Sequence, residues 1–270
     1  MVIQGRMIEN YNPDRRSAAF VAHPGHELRL HGWLSRAKPV CMILTTGSRS
    51  GTDRKRLQAS ARIVESAGGQ CSRLFGAVLD RDLYGMILAG DATPFRKWTE
   101  KLADILVTSR TEQLVVDGWQ LYSVSHDLTH IIGRLAAERA SRALGYKVEV
   151  LQYEVVPALL AECSDSGKPA FELNLSDDEL KAKLAAIDSY PGIEFELIEI
   201  RQIEEEGHAR TERFFMPPPI ADVIRPPSTK PKYESYGEAR LADGIYQDVI
   251  RWHHVERIIH HLVASQRAIP

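Results

Sequence analysis

The sequence lacks the features that mark several classes of protein. Its 270 residues include 3 cysteines, Cys41, Cys71 and Cys163, which lie far apart and form no CxxC pair. Neither a disulfide framework nor a thiolate zinc site is expected, and a reducing cytoplasm is the best-fitting location. No apolar stretch approaches the roughly 20 residues that span a bilayer, and no signal-like run opens the chain, so no membrane association is expected.

An excess of one charge is also missing. The 34 Lys and Arg residues nearly balance the 36 Asp and Glu residues, which leaves a formal net charge of −2. This balance gives no electrostatic basis for binding nucleic acid or another polyanion. A small molecule is therefore the expected partner, and a homo-oligomer is compatible with the sequence.

The chain does contain 44% apolar residues, enough for one large core. Short apolar runs predict buried strands at 17–22, 40–44, 114–116 and 148–156. Helical periodicity and start signals predict helices at 26–36, 53–67, 95–106 and 126–144. This alternation predicts an α/β domain whose sheet is mostly parallel.

The second half of the chain carries different signals. Ser176 is followed three residues later by Glu179, a capping-box pattern that predicts a helix start. Residues 216–232 hold six of the 14 prolines, which predicts an extended connector. A last helix is predicted at 237–264. We therefore expect a main domain at 1–215, with the connector and final helix of 216–270 packed on it.

The strongest candidate site begins where the first predicted strand ends. His23 and His26 stand three residues apart in HPGH, and Pro24 and Gly25 should bend the chain so that both imidazoles converge on one ion. A catalytic zinc usually takes three protein ligands, so a third must come from elsewhere in the sequence. In parallel sheets, the loops at the carboxyl ends of strands form the ligand crevice.

The third ligand is expected just after the strand at 114–116. Ser125-His126-Asp127 follows that strand, with Ser125 placed to cap the next helix. His130 is the alternative ligand, because it lies four residues later on the same helical face. The histidine that does not bind the ion would orient substrate or stabilise developing charge.

Carboxylates next to these elements are candidates for holding an imidazole or moving a proton. The candidates are Glu27, Asp117 and Asp127. Asp117 ends an apolar strand in VVDGW, whereas the other two directly follow candidate ligands. The turn at 45–48 (TTGS) would present hydroxyls and backbone N–H groups to a substrate at the same edge.

The segment AHPGHE at 22–27 resembles the AHPDDE signature of the LmbE-like, or PIG-L-like, family of zinc-dependent N-deacetylases. LTTG at 44–47, the text at 115–134 and LSDDELKAKLAAIDSYPGI resemble further segments of that family, so the resemblance covers most of residues 17–200. It implies a Rossmann-like fold with helices on both faces of the sheet. It also implies a zinc cofactor and the removal of an acyl group from an amino sugar or related amide.

The resemblance also implies a ligand set. In that family the first histidine and second aspartate of the signature, with the last histidine of HPDH, bind zinc. The corresponding residues are His23, His26 and His126. SVSH at 123–126 stands in place of HPDH, so the first histidine of that motif is absent here.

A second departure concerns the general base. Gly25 stands where the family has its base aspartate, so Glu27, Asp117 or Asp127 would have to serve instead. The sequence favours a zinc-dependent N-deacetylase. The alternatives are a family member that binds a sugar or nucleotide-sugar without hydrolysing it, and a metal-dependent enzyme of other chemistry on the same fold.

Overall fold

The structure, a computed structural model, describes residue 12 and residues 14–47, 53–156, 168–191 and 208–267. The strands in this part are Ser17–Val21 (β1), Val40–Thr45 (β2), Gln70–Val78 (β3), Gln113–Asp117 (β4), Glu149–Tyr153 (β5), Phe171–Asn174 (β6) and Thr211–Phe215 (β7). The α-helices are His31–Ala37 (α1), Asp53–Ser66 (α2), Asp80–Ala89 (α3), Thr93–Thr108 (α4), Val124–Leu144 (α5), Asp177–Asp188 (α6), Ile220–Val223 (α7), Lys232–Ala242 (α8) and Trp252–Arg267 (α9).

The strands form a 7-stranded sheet in the order β3-β2-β1-β4-β5-β7-β6. The first five strands in this order, β3, β2, β1, β4 and β5, are parallel, while β7 runs antiparallel to both β5 and β6. The strand order reverses between β1 and β4, which is the switch point where open α/β sheets bind ligands. The predicted Rossmann-like α/β fold with a mostly parallel sheet is confirmed.

Helices cover both faces of this sheet, which explains why its central strands are continuous apolar runs. Phe20 and Val116 point into a core shared with α4, α5 and α9. Val21 and Val115, their neighbours along the strands, point into a second core that includes Trp33 of α1. Every residue of β1 and β4 is buried, so the ends of these two strands are rigid supports for the loops that follow.

The predicted elements of the first half are present with small differences. The helix predicted at 26–36 divides into a 3₁₀ helix, His26–Leu30, and α1. The capping box is confirmed, since Glu179 N donates to Ser176 Oγ at 3.3 Å and Ser176 N donates to Glu179 Oε2 at 2.8 Å. The prediction that Ser125 caps α5 is wrong. The helix begins at Val124, its N-cap residue is Ser123, and Ser125 lies inside its first turn.

Two predictions near the C-terminal end need correction. The connector predicted at 216–232 contains the short helix α7. The single helix predicted at 237–264 is two helices, α8 and α9, because the chain turns at Gly244 with a φ of 70°. Helix α9 packs on α3, α4 and α5. Within the described residues, no helix is both long enough and apolar enough to cross a membrane.

Candidate active site

Three histidines meet at the switch point of the sheet. His23 and His26 follow β1, and His126 lies in the first turn of α5, which follows β4. The ring centroid of His23 lies 5.2 Å from those of His26 and His126, and the latter two centroids are 4.6 Å apart. Three imidazoles with Zn–N bonds of about 2.0–2.1 Å in tetrahedral geometry have centroids about 5 Å apart. The spacing therefore suits one shared ion.

The HPGH turn brings the first two histidines together. Gly25 has a φ of 104°, and His26 N donates to His23 O at 3.3 Å, so the chain reverses within the motif. Glu27 stabilises this turn, because its Oε2 accepts from Gly25 N at 2.8 Å. Burial raises the pKa of Glu27. Its oxygen contacts hold the turn and do not place it in the histidine cluster.

Asp117, at the end of β4, orients His26. Its Oδ2 lies 3.0 Å from His26 Nδ1 and accepts from Ala22 N at 2.9 Å, while Tyr153 OH donates to Oδ1 at 2.6 Å. Burial by itself would raise the pKa of Asp117, but His26, His126 and the Tyr153 hydroxyl outweigh it and lower the pKa to about 2. Asp117 is therefore ionised and directs the Nε2 atom of His26 to other partners.

His23 is held by contacts with β2, α3 and α5. Its Nδ1 lies 2.6 Å from Thr45 Oγ1 and 3.0 Å from Asp80 Oδ1. Its Nε2 lies 2.7 Å from Ser125 Oγ. Asp80 is not among the predicted site residues, although it follows a strand at the same sheet edge. Of the predicted turn at 45–48, residue 48 lies outside the described residues.

Asp127 and His130 lie beside the cluster and support its loops. Asp127 Oδ1 accepts from the backbone N–H groups of Gln120 and Leu121, both at 3.2 Å, and burial raises the pKa of Asp127 to about 7. His130 Nδ1 donates to Asp117 O at 2.9 Å, and burial lowers the pKa of His130 to about 3. The structure thus brings His126 into the cluster and places His130 one helical turn behind it.

Two solved structures of deacetylases resemble this chain in their arrangement of elements. The A40926 pseudoaglycone deacetylase Dbv21 is 13% identical with a TM-score of 0.50, and the match covers 75% of this chain and 96% of Dbv21. The N,N'-diacetylchitobiose deacetylase from Pyrococcus horikoshii is 14% identical with a TM-score of 0.50, covering 74% of this chain and 83% of that one. The chain shares its fold with these two proteins. No family model and no curated protein sequence matches it.

The clustered residues fit a divalent metal ion. Burial lowers the pKa of His26 and, more strongly, that of His126, so both imidazoles are neutral and keep a lone pair for an ion. His126 Nδ1 is buried without a hydrogen-bond partner, a cost that coordination would remove. Donor atoms of His26, Asp117 and His126 all lie within 4.8 Å of one another, a group that does not include His23. Zinc prefers such nitrogen and oxygen donors.

Restoring the signature aspartate at Gly25 is expected to destabilise the protein. A φ of 104° is a conformation that residues with a Cβ rarely adopt, and an added Cβ would lie 3.4 Å from Arg56 Nη2. Gly25→Asp should lower the free energy of unfolding by about 1–3 kcal/mol, measured by chemical denaturation. The control is Gly85→Ala in α3, where an added Cβ meets nothing within 4 Å. Equal stability of Gly25→Asp and wild type would contradict the strain.

Proposed function

We propose that this chain is a metal-dependent deacetylase that removes an acyl group from an amino sugar or a related amide. The observation that carries the proposal is the cluster of His23, His26 and His126, whose rings have the spacing of three ligands around one ion. The shared fold supports it, since the two similar structures are named as deacetylases of a pseudoaglycone and of diacetylchitobiose.

We assign the ion to His23, His26 and His126. Asp117 is the alternative third ligand, because its donor atoms group with those of His26 and His126. Both candidates have partners at their donor atoms, Asp117 at its two oxygens and His23 at its two ring nitrogens. The spacing of the rings and the resemblance of HPGH to the family signature favour His23. A bound zinc would polarise the acyl carbonyl and lower the pKa of a water molecule. A ligand set of three neutral histidines leaves the full charge of the ion to act on the substrate.

The absence of the family's base aspartate favours a second candidate function. Glu27 and Asp127 each use one oxygen to accept from backbone N–H groups, and the other oxygen is buried without a hydrogen-bond partner. Asp117, with a pKa of about 2, is a weak proton acceptor. With Gly25 at the position of the family's base, Glu27 and Asp127 are the remaining candidates, and within the described residues neither forms a hydrogen bond or ion pair with the three histidines. A lost base typically costs about 10²–10⁴-fold in rate. The second candidate is therefore a protein that binds a sugar or nucleotide-sugar and does not hydrolyse it.

Metal content and turnover, measured on the same preparation, separate the two functions. Protein purified without a histidine tag is expected to contain about one zinc per chain by elemental analysis. It should release acetate from a panel of N-acetylated amino sugars, and a chelator should stop the reaction. His260→Ala, an exposed histidine on α9, is the control that should keep both properties. Sugar binding without acetate release would favour the second candidate, and absence of zinc after reconstitution would remove the metal assignment.

A further inference from the structure

A second carboxylate contacts the cluster from the segment that follows β3. Asp80 is the first residue of α3, and its side chain is 11% exposed. Its Oδ1 lies 3.0 Å from His23 Nδ1, beside the Thr45 hydroxyl that lies 2.6 Å from the same nitrogen. Asp80 and Thr45 therefore converge on one atom of one candidate ligand.

The charge of Asp80 bears on which ring nitrogen of His23 carries the proton. A hydroxyl can donate or accept, so Thr45 alone would permit either tautomer. Asp80 Oδ1 forms no hydrogen bond with Nδ1, but its negative charge 3.0 Å away favours a proton over a lone pair on that nitrogen. Nε2 then keeps its lone pair, which accepts from Ser125 Oγ at 2.7 Å in the absence of an ion.

We infer that Asp80 is a positioning residue of the metal centre, which holds the proton on Nδ1 of His23 and leaves Nε2 for the ion. Asp117 also contacts Nδ1 of a candidate ligand, His26, and there the contact is a hydrogen bond. Each histidine of the HPGH motif thus has its own carboxylate. In the LmbE-like signature an aspartate ligand carries a negative charge. Here the negative charges lie on Asp80 and Asp117, which contact the ligand histidines.

The contacts also form a line from Asp80 through His23 to Ser125, the order of a nucleophilic triad. Ser125 is fully buried, however, and its Oγ also lies 2.8 Å from Ser123 Oγ. A serine nucleophile must reach the substrate carbonyl, which this burial prevents. The geometry therefore points to positioning of His23 and not to a covalent acyl-serine step.

The tautomer of His23 in the metal-free protein is the first test. With ¹⁵N-labelled histidine, the NMR shifts of wild type should show His23 as the Nδ1–H form, assigned by comparison with His23→Gln. In Asp80→Asn the amide can donate to Nδ1 and so favours the other tautomer. The control is Asp82→Asn on the same helix, where the side chain is 51% exposed. A wild-type His23 in the Nε2–H form would overturn the inference, whether or not any variant folds.

Zinc affinity is the second test, and this arm rests on the proposed function. Competition with a chelator should show a 10–100-fold weaker affinity for Asp80→Asn, the usual loss when an outer partner of a ligand histidine is removed. Asp82→Asn should bind zinc like wild type. An unchanged affinity in folded Asp80→Asn would overturn the inference. If wild type itself binds no zinc, the proposed function fails, while the tautomer measurement still decides the role of Asp80.

Discussion

His126→Ala is expected to abolish zinc binding and hydrolysis together. His126 is 5% exposed, lies 4.6 Å from His26 between ring centroids, and carries the buried Nδ1 that has no hydrogen-bond partner. Removing only an outer partner of a ligand costs about 10–100-fold in metal affinity, so loss of a ligand should exceed about a hundredfold. Chelator competition measures the affinity, and acetate release from the best N-acetylated substrate measures the rate.

His130→Gln is the comparison that distinguishes the two histidines of α5. His130 Nδ1 donates to Asp117 O, one turn away from the cluster. Its Nε2 is buried without a hydrogen-bond partner, as is His126 Nδ1, so the orphaned nitrogen alone does not separate the two histidines. Gln keeps a side-chain donor, so the variant should retain zinc within a few-fold and lose some stability. Retention of zinc in His126→Ala, together with its loss in His130→Gln, would transfer the ligand role to His130 and contradict the assignment.

The sequence predicts the centre of the sheet because burial on both faces requires unbroken apolar runs. β1 and β4 have such runs and are buried at every residue. β3 is an edge strand in which exposed and buried positions mix, so its sequence QCSRLFGAV carries neither a continuous run nor a clean alternation. β6 has only 4 residues. These strands depend on their neighbours for pairing, and local sequence cannot show that.

The same difference between central and edge strands determines which site residues the sequence can predict. His23 and His26 directly follow β1, and His126 lies in the first turn of the helix that follows β4, so predicting these two central strands is enough to bring the histidines to one edge. Asp80 depends on β3, and without that strand nothing in the sequence relates it to His23. Hydrogen bonds decide the remaining roles. Asp127 is adjacent to His126, yet its carboxylate turns to backbone N–H groups of the preceding loop.

Glu212→Ala is expected to cause the largest loss of stability, because Glu212 joins three elements beneath the site. Its carboxylate, on β7, accepts from Gly32 N and Trp33 N in the first turn of α1, both at 2.8 Å. Lys183 of α6 lies 2.8 Å from the same carboxylate, and the side chains of Lys183 and Glu212 are 7% and 1% exposed. Breaking such a buried pair costs about 3–5 kcal/mol. Thermal unfolding should show a Tm lower by roughly 6–20 °C.

The neighbouring pair of Arg213 with Glu172 is the matched control, since both side chains are about one-third exposed. Arg213→Ala should cost at most about 1 kcal/mol, so a similar loss in Glu212→Ala would contradict the role of the buried pair. Lys183→Met, which removes the charge but leaves Glu212 on α1, should cost more than Arg213→Ala. Because α1 directly follows the 3₁₀ helix that begins at His26, Glu212→Ala should also weaken zinc affinity. The antiparallel strand β7 would then contribute to the metal centre by holding α1, although it supplies none of the assigned ligands.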